Sequence, residues 1–216
     1  MILCSKRKFC IFLSPKTGTV SLTEIFKNLG VEEAVHDHSS YKEIQYRIDN
    51  GLNIEGYRFF CFYRDPVDRC RSMITHFMRK RCREFFPLLY GNSVPFSILD
   101  NRTYGFLSSD LQEKIDSVPM IDVFRKMNHF KELVYGKQID WLNFDKIEYL
   151  NFHQYESQVK FLLETLDFDS NIDIPKYNTS IKNTKDFLSD DDVSEIKEYY
   201  KEDYEFFNSR GIVFNK

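Results

Sequence analysis

The stretch Ser14–Leu22 reads SPKTGTVSL, and the residues on either side show how the chain is built around it. Before it, Lys8–Leu13 is a short apolar run rich in aromatic and β-branched residues, which predicts a buried strand. After it, apolar residues recur at offsets of three, four and seven and predict an amphipathic helix that closes at Gly30. These apolar residues are Leu22, Ile25, Phe26 and Leu29. In a strand–turn–helix arrangement, the unpaired backbone amides and the positive dipole end of the helix both lie at the turn. Such a turn favours the binding of an anion.

The positions of one lysine and one glycine define the kind of anion-binding turn. Lys16 lies on the turn, where its ammonium group can reach a phosphate or a leaving oxygen. A Walker A loop has the order G-x-x-x-x-G-K-[ST], with the lysine after the second glycine. Here Lys16 precedes Gly18, and no glycine stands four or five residues upstream. The turn is therefore predicted to bind phosphate without being a Walker A loop; the alternative is a Ser/Thr-rich turn that only caps a helix.

Composition limits the class of protein. A chain of 216 residues can bury a sizeable core as one domain. Its net charge of −3 gives no global basic field for nucleic acid. The five cysteines form no C-x-x-C pair, and the odd number favours free thiols in a reducing compartment. Neither a signal-peptide core nor an apolar stretch long enough to span a membrane is present, so we expect a cytoplasmic protein.

The order of predicted elements defines the fold class. A second, nearly continuous apolar run, Tyr57–Tyr63, predicts a buried strand, and Lys146–Phe152 alternates well enough to predict a third strand. Strands that alternate with helices favour parallel pairing through right-handed crossovers. We therefore predict a single α/β domain over residues 1–216, P-loop-like, with a mainly parallel central sheet flanked by helices. Residues 84–120 lack clear periodicity and are predicted to form an irregular insertion that binds the acceptor.

Three helix starts carry local signals. Ser40 with Glu43 predicts a capping box for a helix that ends near Asn50. The Asp65-Pro66 pair predicts the start of a helix that continues to about Phe86. Ser189 predicts the cap of one final helix, whose apolar face continues to Phe207.

A second anion site is predicted where the Tyr57–Tyr63 strand ends. The block Cys61–Ser72 reads CFYRDPVDRCRS, with Arg64 directly after the strand and Ser72 about two turns into the next helix. Because ligands bind at the carboxyl edge of a parallel sheet, we expect Arg64 and the Lys16 turn to share one edge. A guanidinium fork with a hydroxyl suits a phosphate monoester. We expect the remaining basic residues of this helix to lie on its solvated face: Arg69, Arg71, Arg79, Lys80, Arg81 and Arg83.

These motifs resemble those of a known enzyme family. The order P-K-T-G-T-x-S-L resembles the 5′-phosphosulfate loop of sulfotransferases that use 3′-phosphoadenosine 5′-phosphosulfate (PAPS), in particular the carbohydrate-type branch. Y-R-D-P-V-D-R-C-R-S resembles the 3′-phosphate motif of that family, with Arg64 and Ser72 on its phosphate-binding positions. The C-terminal part is also similar, in the segments Tyr155-Glu156, Asn178–Ser180 and Lys201–Phe207.

The resemblance implies a transferase that moves a sulfuryl group from PAPS and releases adenosine 3′,5′-bisphosphate. Sulfuryl transfer needs mainly alignment and charge stabilisation, so no metal is expected. Lys16 would stabilise or protonate the departing oxygen as charge builds on it. The residues implied to hold the nucleotide are Lys16, Thr17, Gly18, Thr19, Val20, Ser21, Arg64 and Ser72.

The acceptor hydroxyl needs a base, for which His38 is the first candidate. A histidine titrates near neutral pH, and His38 lies between the turn and the next strand, just before a helix. His36 is the rival, Asp37 could orient either ring, and a carboxylate base stays open. The alternative for His38 is a local hydrogen bond at the helix start.

The acceptor itself is expected to be a carbohydrate hydroxyl, because the likeness is to the carbohydrate-type branch. A small alcohol, a phenol or an amine stays open, as does the oligomeric state. Two other functions compete: a nucleotide-dependent phosphotransferase, and a non-catalytic relative that binds nucleotide or glycan. Neither nucleic acid nor a membrane is expected as a partner.

Overall fold

The computed structural model describes residues 1–35, 40–80, 109–127, 136–175 and 188–214. The chain forms two compact units. The sheet unit comprises Met1–Asp65, Lys137–Thr179 and Glu202–Lys216, and the helical unit comprises Pro66–Gly136 and Ser180–Lys201. The prediction of one domain stays a prediction, as does the acceptor-binding role of residues 84–120, most of which lie outside the described residues.

The sheet unit is built on five strands in the order β3-β1-β2-β4-β5. Their bounds are β1 Ile2–Cys4, β2 Phe9–Phe12, β3 Glu33–Ala34, β4 Arg58–Tyr63 and β5 Ile147–Asn151. β2, β4 and β5 run parallel, whereas β1 pairs antiparallel with both β2 and β3. The predicted α/β class with parallel central strands is confirmed, and its P-loop-like character stays a prediction.

Helices cover both faces of this sheet because its strands are apolar on both sides. The helices of the sheet unit are α1 Thr19–Asn28, α2 Tyr41–Asp49, α6 Ile139–Leu142, α7 Tyr155–Thr165 and α9 Lys201–Asn208. On one face, Phe9, Ile11 and Phe60 pack with the apolar sides of α1 and α7. On the other, Cys10 and Phe59 pack with residues of α2, α6 and α9.

The helical unit contains α3 Pro66–Lys80, α4 Ser109–Asp116, α5 Met120–Met127 and α8 Asp190–Tyr199. Ring contacts join α5 to the end of α8, where Phe124 lies 5.4 Å from Tyr199, centroid to centroid. An exposed ion pair, Arg125 to Glu195 at 2.6 Å, lies beside them.

Several predicted boundaries needed correction. β1 was not predicted. It is a short strand, and its place in the sheet is set by pairing with β2 rather than by a pattern in its own sequence. The final helix is two helices, α8 and α9, with Tyr200 between them. Ser40 caps α2 by accepting from the Lys42 amide at 3.3 Å, and the predicted reciprocal contact with Glu43 is replaced by a Glu43–Arg47 ion pair. Ser189 does form a complete capping box, with Asp192.

None of the helices in the described ranges is long and apolar enough to cross a membrane. A cytoplasmic location stays a prediction. The four described cysteines are unbridged, and Cys10 and Cys61 are buried in strands as the sequence predicted. Burial raises the pKa of the Cys10 thiol to about 12, so this thiol behaves as a small apolar side chain.

Candidate anion site at the sheet edge

The turn between β2 and α1 adopts backbone conformations that are costly for most residues. Gly18 is the N-cap of α1 with φ 76°, and it contributes no side chain to cap the helix amides. Lys16, which is not a glycine, also has a positive φ of 67°. A strained residue of this kind persists only where the surroundings hold it, and such residues cluster at functional sites. Thr17 Oγ1 helps to hold the turn by donating to the Ser14 carbonyl at 2.7 Å.

Tyr155, the first residue of α7, packs on this turn. Its hydroxyl donates to the Gly18 carbonyl at 3.0 Å and also hydrogen-bonds with Ser21. A Cβ placed on Gly18 would lie 2.5 Å from the Tyr155 ring. Gly18 is therefore required twice, for its left-handed backbone and for the close approach of the tyrosine.

Arg64 follows β4 directly and reaches back to the turn. Its Nη1 donates to the Lys16 carbonyl at 3.2 Å, and its guanidinium lies 4.7 Å from the centroid of the Phe152 ring. Because β2 and β4 are parallel neighbours, the residues that follow them share one edge of the sheet. The structure thus brings Lys16 and Arg64 together; their roles as phosphate ligands stay predictions.

The backbone of Arg64 is held by Gln138. The Arg64 amide donates to Gln138 Oε1 at 3.1 Å, and Gln138 Nε2 donates to the Arg64 carbonyl at 2.8 Å. Gln138 is fully buried. Both ends of its side-chain amide are therefore used on one residue of the site.

The electrostatics at this edge favour an anion. Burial lowers the pKa of Lys16 to about 8, and the nearby positive charge of Arg64 lowers it further in the same direction. Among the described residues, no carboxylate forms an ion pair with Lys16. The hydroxyl of Ser14, at the start of the turn, is buried and has no hydrogen-bond partner in the described part of the chain. A bound anion would offset the repulsion between the two cations and raise the pKa of Lys16.

The other predicted ligands are placed as follows. Thr17, Thr19 and Ser21 are buried in and after the turn, and Val20 is half-buried. Ser72 lies half-buried on α3, in the helical unit, and its contact with a nucleotide stays a prediction.

Both candidate bases, His36 and His38, lie outside the described residues, so the identity of the base stays a prediction. In the described ranges, no three His, Cys, Asp or Glu side chains come together to hold a metal ion.

One basic residue was misassigned. Arg69 was expected on the solvated face of α3, but it is fully buried. Its Nη2 donates to the Gly136 carbonyl, and its guanidinium lies 5.6 Å from the centroid of the Tyr200 ring. Its Nε and Nη1 have no hydrogen-bond partner among the described residues.

Sequence reasoning also missed residues that build the site. Phe152 is the last residue of a predicted parallel strand and directly follows β5 as observed, so the same edge rule that placed Arg64 could have placed it. Gln138 follows a glycine break and carries no local signal, because its importance comes from a contact 74 residues away in sequence.

Comparisons with known proteins are sparse. No protein-family model matches the chain, and no curated protein matches it. Among solved structures, the chain is similar to the crystal structure of a sulfotransferase from Alicyclobacillus acidocaldarius, at 11% sequence identity. The similarity covers 94% of this chain and 85% of that chain, with a TM-score of 0.30. A similarity this low says nothing about activity, so function has to come from the residues of the site.

Proposed function

We propose that this protein is a sulfotransferase that moves a sulfuryl group from PAPS to a hydroxyl group of a carbohydrate. The observation that carries the proposal is the contact between the Arg64 guanidinium and the carbonyl of Lys16. It sets a strand-end arginine beside a lysine-bearing turn at one sheet edge. Two adjacent cationic groups suit a nucleotide that carries phosphate groups at two positions.

The residues present fit such a ligand. The turn has a left-handed N-cap glycine and a helix start without a side-chain cap. Among the described residues, its buried Ser14 hydroxyl has no hydrogen-bond partner and its lysine has no carboxylate partner. The amides of residues 17–21 would hold the 5′-phosphate with the hydroxyls of Thr19 and Ser21, and Arg64 with Ser72 would hold the 3′-phosphate. PAPS would supply the sulfuryl group.

The chain's own groups would then provide charge stabilisation and a base. The Lys16 ammonium would stabilise the negative charge that develops on the departing phosphate oxygen. Loss of one such group typically lowers kcat by about 10²- to 10³-fold. His38 would take the proton from the acceptor hydroxyl, with His36 or a carboxylate as the alternative; loss of a general base typically costs about 10²- to 10⁴-fold.

The test is transfer of labelled sulfate from PAPS to a panel of glycans and small alcohols. We expect label on at least one glycan with the wild-type protein, and transfer at least about 10²-fold slower with Lys16→Met. Thermal denaturation with adenosine 3′,5′-bisphosphate or ATP gives a second measurement, because a ligand that binds the native state raises Tm.

Three outcomes distinguish the candidate functions. Stabilisation by the bisphosphate with label on a glycan supports the proposal. Stabilisation by ATP and magnesium but not by the bisphosphate would overturn it in favour of a phosphotransferase. Stabilisation by the bisphosphate without transfer to any acceptor of the panel would overturn it in favour of a non-catalytic binding protein.

A further inference from the structure

A chain of buried hydrogen bonds connects helix α9 with the backbone of Arg64. The Asp203 carboxylate, on the first turn of α9, is fully buried and accepts from the backbone amides of Gln138 and Ile139, both at 2.9 Å. These amides lie at the start of α6, where backbone donors have no partner within the helix. The Gln138 side chain then makes its two bonds to Arg64, at 3.1 and 2.8 Å.

Arg64 needs this support because it lies just beyond the sheet. β4 ends at Tyr63, whose register partner Asn151 is the last residue of β5. The amide and carbonyl of Arg64 therefore fall outside the strand ladder, and buried backbone groups of this kind require other partners. Gln138 supplies both partners: its Oε1 accepts from the Arg64 amide, and its Nε2 donates to the Arg64 carbonyl.

The neighbouring residue of α9 holds the next residue of the strand end. The Tyr204 hydroxyl donates to the Asp65 carboxylate at 3.1 Å. Two neighbouring residues of α9 thus support the two residues that follow β4. Asp203 supports Arg64 through Gln138, and Tyr204 contacts Asp65 directly. A hydrogen bond that a backbone amide donates to a buried carboxylate is stronger than one between neutral groups, so this support is stiff.

We propose that Gln138 and Asp203 are positioning residues of the anion site, which set where the Arg64 guanidinium lies and so determine selectivity for a ligand with a second phosphate. The inference rests on the proposed function, in which Arg64 binds the 3′-phosphate. Gln138 acts on the Arg64 backbone and Asp203 acts through Gln138. The turn that would hold the 5′-phosphate contacts Arg64 at the Lys16 carbonyl, and it also has two contacts of its own, from Tyr155 to the Gly18 carbonyl and from Thr17 to the Ser14 carbonyl.

The experiment measures, by calorimetry, the Kd of adenosine 3′,5′-bisphosphate and of adenosine 5′-monophosphate for a set of variants. Gln138→Met keeps the length of the side chain and removes both bonds to Arg64. We expect it to weaken the bisphosphate about tenfold or more, because displacement of a ligand-binding group by about 1 Å can cost as much as 10²-fold. Binding of the monophosphate should change less than about threefold, since Arg64 has no second phosphate to contact. Asp203→Asn, which keeps the shape but loses the charge and one of the two acceptor oxygens, should show the same selective loss to a smaller degree, because the Gln138 side chain stays in place.

A double-mutant comparison and a matched control separate positioning from general damage. In an Arg64→Met background, Gln138→Met should change bisphosphate affinity less than about twofold, because the group it positions is gone. Glu202→Gln is the control: Glu202 precedes Asp203 and pairs with Lys137 at 2.5 Å, but its side chain is 62% exposed. It should leave both affinities within about twofold.

Two results would overturn the inference: equal weakening of both ligands by Gln138→Met, or a full effect of Gln138→Met that persists without the Arg64 guanidinium. Failure of the proposed function looks different. In that case the wild-type protein would not prefer the bisphosphate over the monophosphate, and Arg64→Met would change neither affinity.

Discussion

The low pKa of Lys16 predicts that nucleotide affinity falls as pH rises above about 8. With a pKa of about 8 in the unliganded protein, roughly nine-tenths of Lys16 side chains carry a proton at about pH 7 and roughly one-tenth at about pH 9. If the ammonium is the form that binds phosphate, the Kd of adenosine 3′,5′-bisphosphate should rise about tenfold between these two pH values. The ligand contributes little to this change, because phosphate monoesters have a second pKa near 6 and are mostly dianions from about pH 7 upwards.

Calorimetry provides a second readout of the same group. Binding raises the pKa of Lys16, because an anion favours the charged form. At about pH 9 the complex should therefore take up close to one proton, seen as a dependence of the binding enthalpy on the ionisation enthalpy of the buffer. At about pH 7 the uptake should fall to about a tenth of a proton, because the unliganded lysine is already about nine-tenths protonated.

Two variants of Lys16 serve as controls. Lys16→Met should bind more weakly throughout and show little change between about pH 7 and pH 9. Lys16→Arg should also be flat, since a guanidinium stays charged over this range. A wild-type Kd that is flat to about pH 9, or a slope that persists in Lys16→Met, would refute the assignment of this lysine as a phosphate-binding group.

Three further substitutions test packing within each unit: two at the turn of the sheet unit and one at the buried arginine of the helical unit. Gly18→Ala should lower the free energy of unfolding by about 2–4 kcal/mol, and Gly30→Ala by about 1 kcal/mol. Both residues have a positive φ, but only at Gly18 would a methyl group lie against the Tyr155 ring. Equal losses in urea denaturation would contradict this packing. Tyr155→Phe should cost about 1 kcal/mol by removing the donor to the Gly18 carbonyl, and an unchanged denaturation midpoint would show that water replaces that donor. Arg69→Met should leave the free energy of unfolding unchanged or raise it by about 1 kcal/mol. The substitution keeps most of the side-chain volume and removes a buried guanidinium, two of whose nitrogens have no hydrogen-bond partner within the described ranges. A loss above about 2 kcal/mol would mean that the guanidinium is a net stabilising group.

The sequence predicted β2 and β4 because each is a nearly continuous apolar run, and β5 because its apolar residues alternate. The side chains of β2 and of Phe59–Phe62 in β4 are buried on both faces, whereas in β5, at the edge of the sheet, only Ile147 and Leu150 are buried. β1 has only three residues, and its place depends on antiparallel pairing with β2. A pairing partner is long-range information that local patterns do not contain.

Buried polar residues were harder to predict than the strands. Arg69 stands four residues before Met73 and eight before Phe77, so it shares the buried face of α3, but its charge favoured a solvated interpretation. Asp203 likewise lies on the apolar face of its helix, between Tyr200 and Phe207. For both residues, the helical spacing from buried apolar residues could have predicted burial in spite of the charge.

The site was predictable to the extent that it follows strand ends. The rule that ligands meet the carboxyl edge of a parallel sheet placed the Lys16 turn and Arg64 together, and their contact at 3.2 Å agrees with that expectation. The rule could not supply Gln138, because a residue that repairs the backbone beyond a strand can come from any later segment. The place of Ser72 on α3 was predicted as a helix position, and its contact with a ligand awaits measurement.

A crystal structure of the complex with adenosine 3′,5′-bisphosphate would show whether one nucleotide occupies both cationic groups. The proposal predicts the 5′-phosphate on the amides of residues 17–21 beside Lys16, with the 3′-phosphate on the Arg64 guanidinium. A nucleotide bound elsewhere, or one whose 3′-phosphate has no contact with Arg64, would contradict it.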